Sequence, residues 1–345
     1  MRIMRVTCVV SAFLLLVFAA ALPVAGQSAR VLVPHSSWTC GMPDGIPAPE
    51  GAPLVFEAHL TLAAIHNLGT TPYGARQVAV VQDGTFSGPR VSGMVAAGAL
   101  DLQLTLSNGV VELEQIFVLQ TADRKYIYLR AAGTGANAGD VRIVPDFEAP
   151  ASSDFAWLNT GRYVARRVID TSARTMTLRV YDVSEVTPPT AATNVTRIEK
   201  PAGMPAQPWD YRTAAPGEIP GGQLIVETVT LSPSQPVGAS KRGNRNIIPI
   251  TGGDLTGRFA GKVLFGGADY QNLSAPATID ARYLWQADNG DIILVRNAGP
   301  IGSLVPTFEV RTDSPYAWLN TGRFLSANPA VKPGGVGITM YESTR

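Results

Sequence analysis

Histidine, cysteine and long apolar runs are scarce in this chain, and each scarcity closes off a class of function. Only three histidines occur in 345 residues, His35, His59 and His66. They lie before or within the first of two repeats, without metal-ligand spacing or a cysteine partner. A zinc-type site and a Ser-His-Asp triad are therefore disfavoured, and no Gly-x-Ser-x-Gly elbow is present. Neither sign of charge dominates: 28 basic residues stand against 27 acidic ones. That balance argues against nucleic acid or an anionic membrane as the main partner. No amphipathic helix of three turns can be read.

One apolar run, Val9 to Ala21, follows Arg2 and Arg5 and precedes the small residues Val24-Ala25-Gly26. This is the pattern of a secretion signal, and the run is too short for a membrane span. Residues 1–26 are expected to be cleaved, leaving an exported chain with no membrane segment. Cys8 would leave with them. Cys40 is then the single cysteine, so no intrachain disulfide can form. A lone exported cysteine is either buried or pairs between chains. Burial is the plainer reading, and a homodimer stays open.

What the chain does contain is a duplication. Ala-Trp-Leu-Asn-Thr-Gly-Arg occurs as Ala156 to Arg162 and again as Ala317 to Arg323. The pairing extends outward: Pro145-Asp146-Phe147-Glu148 matches Pro306-Thr307-Phe308-Glu309, and Gly98-Ala99-Leu100-Asp101-Leu102-Gln103 matches Gly266-Gly267-Ala268-Asp269-Tyr270-Gln271. Gly74-Ala75-Arg76 likewise matches Gly243-Asn244-Arg245. The expected organisation is an N-terminal arm (27–51), a first repeat (52–184), a Pro/Ala-rich linker (185–220) and a second repeat (221–345). The length also exceeds the roughly 250–300 residues at which single cores stop growing. Asn194-Val195-Thr196 and Asn272-Leu273-Ser274 are glycosylation sequons, meaningful only in a eukaryotic host.

Both repeats alternate apolar and polar residues with a period of two, as in Leu54 to Leu62 and Gln223 to Leu231. Turn pairs such as Asp83-Gly84 and Asn289-Gly290 separate the runs at intervals of roughly ten residues. The predicted class is all-β: two tandem small antiparallel β-barrels related by internal duplication, each of about eight or nine strands.

Three motifs of the second repeat carry a family resemblance: Gly266-Gly267-Ala268-Asp269-Tyr270, Asp280-Ala281-Arg282-Tyr283 and Tyr316-Ala317-Trp318-Leu319-Asn320. The chain resembles a bacterial and fungal family known as domain of unknown function 3237, whose single-copy members look like small β-barrels. The first repeat keeps the third motif as Phe155-Ala156-Trp157-Leu158-Asn159. It departs at the other two, with Gly98-Ala99-Leu100-Asp101-Leu102 and Glu114-Gln115-Ile116-Phe117. The resemblance implies the fold and is nearly silent on chemistry. Some fungal members look like parts of secondary-metabolite pathways.

Asp280 and Arg282 lie two apart on a predicted strand and share a face. If that face points inward, it sets a carboxylate and a guanidinium in an apolar cavity, an arrangement suited to proton transfer. The plainer reading is a surface ion pair. Asp269, retained as Asp101, is either a turn cap or a proton-transfer group. Gln271 is retained beside it, which a cap alone does not require. Arg245, retained as Arg76, is either an anion-stabilising group or part of a barrel-rim salt bridge. Tyr270, Tyr283, Trp318 and Asn320 would shape the pocket. Arg76, Asp101, Glu114 and Trp157 would form a second site in the first repeat. For the repeated heptapeptide the plainer reading is structural, with Trp157 and Trp318 in the core, Asn159 and Asn320 capping a turn, and Gly161 and Gly322 at positive φ.

These features fit an exported, cofactor-independent enzyme acting on a small, partly apolar organic molecule. Isomerase, cyclase or lyase chemistry would need one acid/base pair and shape, and a pericyclic ring closure less still. The alternative is a secreted small-molecule-binding protein without turnover, and a third reading is a purely structural module. Loss of the cation at Ile116, opposite Arg282, points to one working site in the second repeat. On that reading Arg282→Leu would abolish function and cost at most about 1–2 kcal/mol of stability.

Overall fold

The computed structural model describes residues 30–186 and 194–344. The expected leader, 1–26, and the linker residues 187–193 lie outside the described residues. The N-terminal arm carries β1 (Arg30–Val33) and β2 (Ile46–Pro47). The first repeat is β3 (Leu54–Thr71), β4 (Gly74–Ser87), β5 (Ser92–Val95), β6 (Leu100–Thr105), β7 (Val111–Thr121), β8 (Tyr126–Gly135), β9 (Arg142–Glu148), β10 (Tyr163–Asp170) and β11 (Thr175–Asp182). Strand β12 (Asn194–Arg197) belongs to the linker and pairs in parallel with β1. The second repeat is β13 (Ile219–Leu231), β14 (Gln235–Ser240), β15 (Gly243–Gly257), β16 (Gly261–Val263), β17 (Ala268–Asn272), β18 (Thr278–Ala287), β19 (Ile292–Pro300), β20 (Val305–Glu309), β21 (Phe324–Ser326), β22 (Ala330–Lys332) and β23 (Gly335–Thr344). Among the described residues, no helix is long and apolar enough to cross a membrane.

The expectation of two barrels is corrected by the pairing. The first repeat closes: β3-β11-β10-β9-β8-β7-β6-β4 returns to β3, and short β5 also bridges β4 and β7. The second repeat does not close. Its path runs β20-β19-β18-β16-β15-β13-β23-β21, and the end strands β20 and β21 are not paired as a ladder. The seam is thin in both repeats. In the first, the single pair Ala165↔Ile143 joins β10 to β9. In the second, the corresponding contact is one hydrogen bond, Ser326 N–H to the Leu304 carbonyl at 3.0 Å.

Proline accounts for a further difference, the interruption of the strand that follows the seam and its ladder with β23. Where β10 runs on for eight residues, the second repeat has Ala327-Asn328-Pro329 between β21 and β22. Proline has no N–H to give a ladder and restricts the residue before it. In the same way Pro233 falls in the break between β13 and β14, where the first repeat has the single strand β3.

Alternation assigns the faces. On β7, Val111, Leu113, Phe117 and Leu119 point into the first barrel core. On β18, Ile279, Ala281, Tyr283 and Trp285 point into the core of the second repeat. The opposite faces of β7 and β18 are buried too, because the repeats pack outer wall against outer wall. One contact cluster joins Val78, Val80, Leu100 and Leu102 to Leu284 and Leu294. Another joins Ile116, Val118 and Tyr128 to Ile247, Ala268 and Tyr270. Strands buried on both faces are unusual in antiparallel sheets and mark this contact as a fixed interface.

The interface has pseudo-two-fold symmetry. Arg76 of the first repeat holds Glu309 of the second through two bonds of 3.0 Å. Its counterpart Arg245 holds Glu148 through two bonds of 2.8 Å. Each carboxylate also accepts a hydroxyl from the opposite repeat, Thr71 on Glu309 and Ser240 on Glu148. Backbone bonds repeat the pattern, Ala151 to Ala239 and Thr312 to Thr70, each 2.8 Å. Equivalent residues contacting reciprocally is the signature of an isologous interface, here within one chain. Gly266 permits the approach, since a Cβ there would lie 2.3 Å from Val80.

Candidate functional site

The sequence-predicted residues separate into three places. The first is the centre of the interface, which receives Asp280, Arg282, Glu114 and Tyr270. Their face of the sheet points out of the repeat, not into a cavity as the proton-transfer reading requires. Arg282 Nε donates to Asp280 at 2.8 Å and reaches across to Glu114 at 3.3 Å. Arg296 and Arg130, equivalent residues absent from the sequence-based set, complete the network on Asp280 (2.8 Å) and Glu114 (2.7 Å). Burial alone would raise both carboxyls; the neighbouring guanidiniums hold Asp280 and Glu114 below their ordinary range instead. Both Arg130 and Arg296 also donate to the Trp209 carbonyl, so the linker caps the network near the pseudo-axis.

This arrangement accounts for the Arg282/Ile116 asymmetry without catalysis. Arg282 serves both carboxylates, and a second buried guanidinium opposite it would find no free partner. Tyr270 is buried at the same interface, donates its hydroxyl to the Gly98 carbonyl and packs against Tyr128 at 5.8 Å. A pocket of about 320 Å³ opens beside the network, lined by Arg245, Asp280 and Arg296 under Trp209 and Tyr211.

The second place is the pair of heptapeptide turns. Ala156–Asn159 and Ala317–Asn320 are single 3-10 turns. Asn159 brackets Ala149, accepting its N–H (2.8 Å) and donating to its carbonyl (3.0 Å). Asn320 treats Val310 the same way, at 2.9 and 3.0 Å. Trp157 and Trp318 are half-buried against the two cores, under Arg90 at 4.0 Å and Arg258 at 4.3 Å. The expectation of positive φ at Gly161 and Gly322 is not met. Glycine is required there because a Cβ would lie 2.1 Å from the Tyr163 hydroxyl or from the Phe324 ring.

The third place is the interior of the second repeat, and there the chemistry is unspent. Asp269, on β17, faces inward, half-buried, in the cross-strand row Ile248–Asp269–Ala281–Asn297. Among the described residues no hydrogen bond or ion pair holds its carboxyl, and burial pushes its pKa up to about 7. Glu227, on the inward face of β13, is fully buried and is likewise pushed up to about 7. Burial is the larger cause, opposed by hydrogen bonds from the Tyr283 hydroxyl (2.6 Å) and the Trp285 indole (2.8 Å) and reinforced by the charge of Asp269. Among the described residues the buried side-chain oxygen of Asn297 has no partner. Gln271 and Asn246, bonded at 2.8 Å, lie toward one end, and an apolar group with Trp285 and Phe308 lies toward the other.

The first repeat is the natural comparison. Its Asp101 is also buried, but Arg167 lies 3.3 Å away and Gln115 donates to it at 2.6 Å. Arg167 further donates to Gln103 at 2.6 Å and so fills the polar end. Ala58, Phe117 and Leu119 stand where the second repeat has Glu227, Tyr283 and Trp285. Arg167 has no counterpart in the second repeat, where Ala327-Asn328-Pro329 interrupts the strand. The sequence signal for Glu227 was available: a carboxylate on the apolar face of an alternating strand, between Ile225 and Val229.

Of the sequons, Asn194 is exposed on β12, whereas the Asn272 amide donates to the Arg242 carbonyl at 2.8 Å. Cys40 is buried, with its thiol 3.5 Å from the Trp38 carbonyl.

Comparison with known proteins agrees with the duplication. Two UPF0311 proteins share one short stretch, 46% identical over 59 residues in Bradyrhizobium diazoefficiens and 43% over 60 in Rhodopseudomonas palustris. Each match covers 16% of this chain and spans only 39% of the relative's length. Among solved structures, a β-barrel-like protein of Acinetobacter baumannii is similar at 23% identity and a TM-score of 0.34, over 40% of this chain and 98% of that one. An enzyme from Penicillium herquei is similar at 18% identity and a TM-score of 0.31, over 39% of this chain and 97% of that one. The family described as protein of unknown function (DUF3237) matches residues 52–186 and again 224–302, and the chain belongs to that family.

Proposed function

We propose that this is an exported protein that binds a small, neutral, partly apolar organic molecule inside the second repeat. The observation that carries the reading is the pair Asp269 and Glu227, two inward-facing carboxyls with no partner cation among the described residues, in a repeat whose twin sets Arg167 against the equivalent aspartate. A protonated carboxyl is a hydrogen-bond donor, and the Asn297 oxygen is a free acceptor. A neutral carbonyl or phenol with an apolar body complements both, while an anion would meet them unfavourably once Asp269 ionises.

The test is calorimetric titration with a panel of small cyclic ketones and phenols at about pH 6 and pH 8.5. Asp269 carries its proton below its raised pKa of about 7 and loses it above. Affinity should therefore fall by about tenfold or more on going to pH 8.5, and Asp269→Leu should remove binding at both values. Equal affinity at the two pH values, undiminished in Asp269→Leu, would sink the reading.

A second reading, favoured by two carboxyls poised near neutrality, is proton-transfer catalysis of the isomerase or lyase type. Asp269 as carboxylate would take a proton from carbon beside a carbonyl and return it, with Tyr283 and Glu227 fixing the pocket. Exchange of that proton in deuterated water by the wild type, and its loss in Asp269→Asn, would distinguish turnover from binding.

A further inference from the structure

A larger cavity adjoins the interface pocket, sharing Arg130, Asp146, Trp209 and Arg242 with it, and its arm wall lies outside the family-matched region. It is a cleft of about 1210 Å³ between the N-terminal arm and the outer faces of β8 and β9. Its volume accommodates a drug-sized molecule. The arm is firmly seated, so the cleft is preformed. Fully buried Arg142 of β9 donates to the Arg30 and Ile46 carbonyls at 2.9 and 2.5 Å, and the Trp38 indole donates to Gly133 at 2.9 Å.

Two features of the wall define what fits. The first is aromatic: Trp38 and Trp209 meet edge to face at 5.6 Å, and the Arg130 guanidinium lies 3.6 Å over the Trp209 ring. Flat surfaces of this kind receive planar groups. The second is charge: Arg130, Arg162, Arg197 and Arg242 line the cleft against Asp44 and Asp146. Arg130 is committed to Glu114 and Arg242 to Asp146. Arg162 and Arg197 are exposed and make no ion pair among the described residues, so the cleft keeps a net positive field.

We propose that this cleft is a second binding site, for a planar organic anion of the aromatic-carboxylate class, with the ring against Trp38 and Trp209 and the carboxylate toward Arg162 and Arg197. It is independent of the interior of the second repeat, which suits a neutral molecule. The probe is 2-naphthoate, compared with neutral 2-naphthylmethanol, by calorimetry and tryptophan fluorescence on the full chain. Naphthoate should bind with one-to-one stoichiometry and about tenfold or more tighter than the alcohol. The double variant Arg162→Glu/Arg197→Glu, both exposed and expected to leave the melting temperature unchanged, should weaken naphthoate by at least about tenfold and spare the alcohol. Asp269→Leu should leave naphthoate affinity untouched, which separates this site from the interior one. Absence of saturable naphthoate binding, equal affinity for acid and alcohol, or indifference to the charge reversal would overturn the proposal.

Discussion

Asp269 and Asp101 are the same residue in two copies of one module, yet their surroundings make them different groups. Burial raises both carboxyls, but Arg167 and Gln115 oppose it at Asp101, whereas burial acts on Asp269 unopposed. The contrast at Arg282 runs the other way. Its side chain is only 5% exposed and holds two carboxylates from two repeats. Removing it leaves Asp280 to Arg296 and Glu114 to Arg130 alone, and strips a buried charge-assisted hydrogen bond from each carboxylate, worth about 1.5–3 kcal/mol apiece. Arg282→Leu is therefore expected to destabilise the fold by about 3–5 kcal/mol in denaturant titration, not the smaller loss that a functional surface arginine would give. A loss under about 1 kcal/mol with binding abolished would return Arg282 to the functional site.

At the scale of elements, much was legible and the misses have physical causes. Period-two alternation marks the strands because each has one face in a core, and the repeated Trp-Leu-Asn turn marks a lock because Asn159 and Asn320 bracket backbone identically. Alternation says that Asp280 and Arg282 share a face; it does not say which face is inside when both are buried. Nor does the retained Arg76 reveal its partner, since Glu309 lies 233 residues away. A strand cut in two by proline and held at its edge by one backbone hydrogen bond should open more easily than the continuous β10. Hydrogen exchange should find the β21 and β22 amides less protected than those of β10. Equal protection would mean that the seam is as cooperative as the closed barrel.

The whole molecule is a two-fold assembly written into one chain, and this shapes where function can sit. Reciprocal clamps, Arg76 on Glu309 and Arg245 on Glu148, commit the retained polar residues of the outer walls to holding the repeats together. Once the repeats are joined covalently, the two interiors need not remain alike. The first is plugged by Arg167 and lined by Phe117 and Leu119; the second keeps Asp269, Glu227 and Tyr283, and an Asn297 side-chain oxygen unpartnered among the described residues. This second interior holds a proton near neutrality with no compensating cation among the described residues. Carbon-detected NMR titration of aspartate-labelled protein tests it most directly. One side-chain carboxyl of the second repeat should titrate at about 7, absent in Asp269→Asn and intact in Arg282→Lys. If every aspartate assigned to the second repeat titrates below about pH 5, the interior is compensated by something other than a proton and the account fails.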